Sequence, residues 1–435
     1  MINVPLFLLL TQTALPATPT RSPTPTLSPT PTLSPTLATP STLTPPTRTK
    51  APQLSPADRT AAKIAWKYFE HNWDQKTGLV HSVDRLPWST IWDQGSALLG
   101  IHSARQLGLI TPTRFQERIK TTLTTLETLP LAPSGLPNKA YDTETAQMLD
   151  LQMQPDPTGS SGYSALDIAR LLGALHIFRY HYPELKPQIE RIVARWQLRQ
   201  LVQADGQIYG LSRLSQGKLQ RVQEGRSGYE KYAVHLLQLW NIQASTALNN
   251  PLVDQQEIDG VLLEIDRRNL KNSGASNYLT NDPYLLLALE VGIPAPLKRQ
   301  VDHLLLVQEK RFQKTGILTA VNEDSLDRFP HFLYYNVFAN GETWQPITTQ
   351  GKAYPQLRFL STKAAFAWSA LKPNHPYTQA LQQAVQTLGN PDRGYYSGRY
   401  ENTTQGVNQA INVNTNAIVL ESLLYRSRQG KPLSQ

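Results

Sequence analysis

Cysteine is absent from all 435 residues. Its absence excludes disulfides, thiolate metal sites and a cysteine nucleophile, and it leaves the compartment open. Clustered charge is missing as well. The formal net charge is +9, yet no block of lysine and arginine carries it. Arg267-Arg268 and Arg191/Arg195 read as solvated helix or strand faces, so no nucleic-acid partner is expected. Gly100, Gly108 and the run Gly159-Ser160-Ser161-Gly162 lack the lysine that marks a phosphate-cradling loop. The nine histidines show no HExxH or paired spacing, and His71 and His81 stand isolated. No metal or other cofactor is therefore expected. There is also no GxSxG nucleophile signature.

A bilayer-spanning run is lacking at the N-terminus. Val4-Pro5-Leu6-Phe7-Leu8-Leu9-Leu10 is too short to cross. Residues 1–12 fit a signal or anchor segment, with Thr13-Ala14-Leu15 near a cleavage site, although no lysine or arginine precedes the apolar run. Residues 13–55 are rich in proline, threonine and serine. Ser22-Pro23-Thr24-Pro25-Thr26-Leu27 repeats as Ser28–Leu33, and 11 of the 33 prolines fall here. Such a tract reads as an extended, disordered spacer that buries nothing. Together these segments predict export to the periplasm, cell surface or medium, with peripheral association with the cell envelope.

From Pro56 to about residue 430 the composition is globular, with no second linker, so one domain is expected. A layout recurs along it. A loop of glycine, proline and polar residues leads into a polar helix start, then a nearly all-apolar helix, then a more amphipathic one. The starts are Ser89, Ser164, Gly228, Thr280, Ser361 and Asn414. Amphipathic partners are expected near 112–128, 184–200, 296–310 and 376–389. The stretch 244–270 is ambiguous, and Gly260-Val261-Leu262-Leu263-Glu264-Ile265 reads as a strand. Six buried helices with six outer ones predict an all-α fold, an (α/α)6 toroid, and a monomer.

Parallel inner helices would place their N-terminal loops on one face. Those loops are rich in acids and aromatics. Gln223-Glu224-Gly225-Arg226-Ser227-Gly228-Tyr229-Glu230 is the densest, with two carboxylates flanking a helix mouth. Glycoside chemistry needs such a set, with one carboxylic acid to protonate the leaving oxygen and a second carboxylate to activate water or attack carbon. Glu230 and Glu224 are the candidate acids. Asp324 and Glu323 are the candidate bases, since adjacent acids repel and one is expected to have a raised pKa. Trp92, Tyr229, Trp344, Tyr396 and Tyr400 are candidate stacking platforms. Asp93, Asp167, Arg226, Asn277, Tyr284, Lys363, Glu401 and Asn414 are further substrate-binding candidates.

Structural duties compete for several of these residues. Asp93, Asp167 and Asp282 lie early in helices, where acids suit the dipole. Asn414-Thr415-Asn416 reads first as a cap, and Asp327-Arg328 as a turn brace.

The motifs Leu136-Pro137-Asn138-Lys139-Ala140-Tyr141, Tyr163-Ser164-Ala165-Leu166-Asp167-Ile168, Gln223-Glu224-Gly225-Arg226, Leu318-Thr319-Ala320-Val321-Asn322-Glu323-Asp324, Leu360-Ser361-Thr362-Lys363 and Asn414-Thr415-Asn416-Ala417 occur in this order. Together they resemble a bacterial domain-of-unknown-function family of the six-hairpin glycosidase-like superfamily, the glucoamylase-like α/α toroids. The resemblance spans residues 57–428. It implies the toroid fold and, by superfamily analogy, a carbohydrate role. It carries no catalytic residues across. The expectation is an exported glycoside hydrolase or related glycan-processing enzyme. The alternatives are a non-catalytic glycan-binding or envelope-scaffold protein, and a polysaccharide lyase acting through a Tyr/His or Tyr/Arg pair.

Overall fold

A computed structural model describes residues 54–213 and 218–435. The expected signal segment at 1–12 and nearly all of the 13–55 spacer lie outside the described residues. The helices in chain order are α1 (Pro56–Asn72), α2 (Ile91–Gln106), α3 (Pro112–Thr128), α4 (Ala165–His181), α5 (Lys186–Ala194), α6 (Ser227–Gln238), α7 (Ser245–Leu248), α8 (Leu270–Ser273), α9 (Asp282–Glu290), α10 (Lys298–Thr315), α11 (Thr362–Leu371), α12 (Pro376–Val385) and α13 (Val413–Ser427).

The ring closes through α2, α4, α6, α9, α11 and α13, each packed on the next and α13 back on α2. These six are buried on nearly every side. In α4 the sequence Ile168-Ala169-Arg170-Leu171-Leu172-Gly173-Ala174-Leu175 is buried without a break. A helix walled in by neighbours needs apolar side chains all round. The outer helix α3 buries only Phe115, Ile119, Thr122, Leu123 and Leu126, a stripe at helical spacing.

Two of the six expected starts, Ser164 and Ser361, are the caps themselves, and the others differ by a residue or two. Thr90 caps α2 and forms a capping box with Asp93. Ser164 caps α4 and Ser361 caps α11. Asn412, not Asn414, caps α13, accepting from Thr415 N at 2.8 Å. That leaves the Asn414 side chain for another partner. Helix α6 has no side-chain cap of its own. Asp266 supplies one from elsewhere, accepting from Ser227 N at 3.0 Å.

The description all-α is incomplete. Five small antiparallel sheets occur among the described residues. The segment 244–270 contains only the short α7 and then a hairpin, Val253–Ile258 with Val261–Asp266. That hairpin does part of an outer helix's work, because Gln300 of α10 bonds both backbone groups of Glu264 at 2.9 and 3.0 Å. The expected helix over 184–200 is broken into α5 with a single 3-10 turn on either side. The other sheets sit in the loops at the N-terminal ends of the inner helices. They escaped a reading tuned to helical periods because most of their strands are short.

One loop position there admits only glycine. Gly162 has φ +80°, and a Cβ would strike the carbonyl oxygen of Leu211. The same loop holds Lys139 through its backbone, with Lys139 N donating to Gly162 O at 3.2 Å. Gly162→Ala is expected to lower stability by more than about 1 kcal/mol, read by urea unfolding.

Candidate active site

The loops at the N-terminal ends of α2, α4, α6, α9, α11 and α13 enclose a cavity of about 300 Å³ at the toroid mouth. Four carboxyl groups line it: Asp93, Asp167, Glu224 and Glu323. Trp88, Trp92, Tyr229, Tyr278, Phe332 and Tyr334 supply its aromatic surface. Inside, Tyr278 stacks on Tyr334 at 4.2 Å, and Phe332 meets Tyr334 edge-on at 5.3 Å.

Glu323 heads one wall. It begins the short strand Glu323–Ser325, paired with Phe332–Ala339. In a strand neighbouring side chains face opposite ways. Glu323 is half-buried and faces the cavity, whereas Asp324 is buried. The Tyr229 hydroxyl donates to the Glu323 carboxyl. Burial, then the Asp282 carboxylate, push the Glu323 pKa up to about 8, against the opposing pull of Lys363. Glu323 therefore holds its proton at neutral pH.

A second wall is the N-terminus of α4. The Glu224 carboxylate sits on that helix end, accepting from Ala165 N at 2.6 Å and from the Ser164 hydroxyl at 3.1 Å. Burial raises the Glu224 pKa, and Lys139 and the N–H groups of Ala165 and Leu166, at a helix end that favours an anion, oppose that shift. The Ser164 hydroxyl also lies 2.9 Å from Asp167 Oδ1, so it bridges the two carboxyl groups. Burial first, then Glu224 and Asp93, raise Asp167 to about 7. Lys139 is the nearby cation, and its ammonium donates to Ser212 at 2.5 Å. Burial lowers the Lys139 pKa, and Glu224 and Asp167 oppose that shift.

Beneath the mouth a hydrogen-bond chain runs toward the ring axis. Asn414 Nδ2 donates to Asp93 at 2.8 Å, and Ser96 Oγ donates to Asn414 Oδ1 at 2.5 Å. Arg170 Nε donates to Ser96 at 2.9 Å, and its Nη1 to Glu290 at 2.7 Å. Arg170 also stacks under the Trp92 ring, 4.9 Å from its centroid. The cavity floor is thus wired to the centre of the fold.

Of the residues expected from sequence, Glu224, Glu323, Trp92, Asp93, Asp167, Arg226, Tyr229 and Asn414 line this cavity. The others do not, and each has a structural duty. Glu230 is fully buried in a paired contact with Arg268, at 2.8 and 2.6 Å. Asp324 accepts from Ser397 at 2.9 Å and from Asn412 at 2.7 Å, which locks the α13 cap in place. Neither lines the cavity.

Glu401 is taken by Arg311, at 2.8 and 2.7 Å, and by the Tyr335 hydroxyl. Trp344 packs on Arg311 and donates to Asp259. The Tyr400 hydroxyl donates to Asp327, and Tyr396 accepts from Asn390. Asn277 braces two backbone segments through Asp266 O and Asn340 N. Tyr284 is buried, and Lys363 is paired with Asp282 at 3.1 Å. Tyr278 and Tyr334 belong to the aromatic-rich loops expected at the mouth, whereas Lys139, Trp88 and Phe332 enter the site with no role expected for them. Lys139 had no chemical signal of its own in the sequence, because its partner Glu224 lies 85 residues away.

Six inner helices closed into a ring, with outer helices and one strand hairpin around them and an acid- and aromatic-lined mouth, place the molecule in the class of six-hairpin α/α toroids. The chain belongs to the family described as Protein of unknown function (DUF3131), which matches residues 60–429. Solved structures share the fold at low identity. An inferred glucoamylase from Bacteroides fragilis superposes with a TM-score of 0.61 at 12% identity, covering 90% of this chain and 97% of that one. An endo-beta-1,2-glucanase from Chitinophaga pinensis gives 0.58 at 12% identity, covering 88% and 97%. An endo-beta-1,2-glucanase from Talaromyces funiculosus, in complex with sophorose, gives 0.56 at 11% identity, covering 86% and 85%. No curated relative matches the chain by sequence.

Proposed function

We propose that the protein is a glycoside hydrolase acting on a neutral glycan, with Glu323 as general acid and Asp167 as general base. One observation carries this reading: three carboxyl groups with upward-shifted pKa values, Asp167, Glu224 and Glu323, line a single aromatic-walled cavity at the toroid mouth. Neighbouring groups with displaced and separated titrations divide acid and base roles between them. Glu323 would protonate the leaving oxygen, and Asp167 would take a proton from water. Glu224, fixed on the α4 helix end, would keep Asp167 basic through its charge. Trp92, Trp88 and the Tyr278–Tyr334 stack would cover the apolar faces of sugar rings.

Charge favours an uncharged substrate. Four acids line the cavity, and its two cations are committed. Lys139 is engaged by Ser212 and lies beside Glu224. Arg226 donates to Gln223, Ser273 and the carbonyls of Gly225, Arg268 and Ala275. A uronate carboxylate entering here would meet repulsion and no open cation. The glucan named for two of the structural relatives makes β-1,2-glucan the first substrate to try, and an α-1,4-glucan is a second neutral glucan to set beside it. Export to the envelope or medium, read from the apolar N-terminal run and the Pro/Thr/Ser tract, suits a polymeric substrate.

The test is the pH dependence of kcat/KM on the cleaved glucan. Asp167 must be ionised, so the rate falls as pH drops below about 7. Glu323 must be protonated, so the rate falls as pH rises above about 8. A narrow bell between these limits is expected. Asp167→Asn is expected to lower the rate and to abolish the acidic limb. A broad plateau, or an acidic limb retained in that variant, would refute this division of roles.

A further inference from the structure

Residues 326–331 join the strand bearing Glu323 and Ser325 to the strand bearing Phe332 and Tyr334. Ser325 and Phe332 both line the cavity, so both stems of this loop rise from its wall. Near its tip Phe329 is 66% exposed, the most open large hydrophobic side chain among the described residues. A single exposed apolar residue is ordinary on a protein surface. This one is distinguished by how firmly its loop is held.

Asp327 accepts from Arg328 Nε at 2.8 Å, from the Tyr400 hydroxyl at 2.7 Å and from Gln409 N at 3.0 Å. Its own N–H donates to Asn408 Oδ1 at 3.0 Å. The turn closes through Leu326 N to His331 O and His331 N to Arg328 O. A loop braced at this many points holds its aromatic tip in water. Tyr354 flanks the Phe329 ring edge-on at 6.1 Å. The segment carrying Tyr354 leaves the cavity wall at Thr349. Phe329 is three residues beyond Phe332, so chain length keeps the two Cα atoms within about 11 Å. Tyr278, Tyr334 and Phe332 thus form a run of touching rings on the wall, and the exposed Phe329 lies within that chain distance of its last member.

We infer that Phe329, backed by Tyr354, is an outer stacking subsite for a further sugar ring of the same glycan as the chain leaves the cavity. The inference rests on reading the cavity as a glycan site, and continuity with that cavity identifies the occupant. A substrate held wholly inside would gain nothing from a braced, solvent-facing phenyl ring. A polymer crossing the rim would cover it and gain apolar contact there. The subsite makes chain length a determinant of affinity and favours attack within polymers over the release of single units.

Calorimetric binding of a β-1,2-glucan ladder and an α-1,4-glucan ladder, each running from disaccharide to long oligomers, tests this. The Glu323→Gln full-length protein is used so that nothing is cleaved. Adding Phe329→Ala is expected to weaken the long oligomers about tenfold and leave the disaccharide unchanged, with Phe329→Trp restoring the affinity. Long-chain affinity that ignores Phe329→Ala overturns the subsite and spares the cavity reading. Equal losses for short and long chains also overturn it. No binding of either ladder by Glu323→Gln, with Phe329 intact, overturns the cavity reading and the subsite with it.

Discussion

Glu323→Gln is expected to lower kcat by about 10²–10⁴-fold with the fold intact. The side chain keeps its shape and can still accept from the Tyr229 hydroxyl. What it loses is the proton that would be given to the leaving oxygen. Glu323 is already held neutral at pH 7 by burial and by Asp282. A neutral amide in its place therefore changes little in the local charge, and the thermal midpoint should move little. Reducing-end release, measured beside near-UV circular dichroism, separates the two effects. An undiminished rate would place the acid elsewhere in the mouth.

The second large effect concerns stability. Arg170 is completely buried at the centre of the ring, with Glu290 at 2.7 Å and Glu421 at 3.9 Å. Burial works against its charge, but Glu290, Tyr232 and Glu421 outweigh burial and hold its pKa up. The guanidinium ties α4 to α9 through Glu290, to α2 through Ser96 and to α6 through Tyr232. Arg170→Ala leaves two buried acids without their cation and opens a void beneath Trp92. A loss of about 3–5 kcal/mol is expected in denaturant unfolding. Pairing Arg170→Met with Glu290→Gln should recover part of that loss, because the uncompensated charge is then reduced. A full-strength protein after Arg170→Ala would show that the axial cluster contributes little.

The ring was legible in the sequence because its cause is simple. A helix buried on every side must be apolar nearly throughout, as α4 and α9 are, and each such run is preceded by polar loop residues. The strands were harder to read. Glu323–Ser325 is too short to display alternation, and that cost the distinction between Glu323 and Asp324. A reading without that strand cannot decide which of two adjacent acids faces the cavity, since a shift of one residue exchanges them. Glu230 failed for a related reason. It sits in the first turn of α6, where an acid is unremarkable, and its partner Arg268 follows a hairpin that periodicity left ambiguous. Asn414 was read as a cap. The cap lies two residues earlier, which turns Asn414 toward Asp93.

The measurement that bears most directly on the central claim is reducing-end release from β-1,2-glucan and α-1,4-glucan by the full-length chain. Glu323→Gln and Asp167→Asn are run beside it at pH 7.5, about midway between the two titrations. The account predicts release by the parent and its loss in both variants, with all three proteins equally folded. Release that survives in both variants would contradict the assignment of these carboxyl groups. A parent that binds these glucans without cleaving them would make the mouth a glycan-binding site instead of an active site.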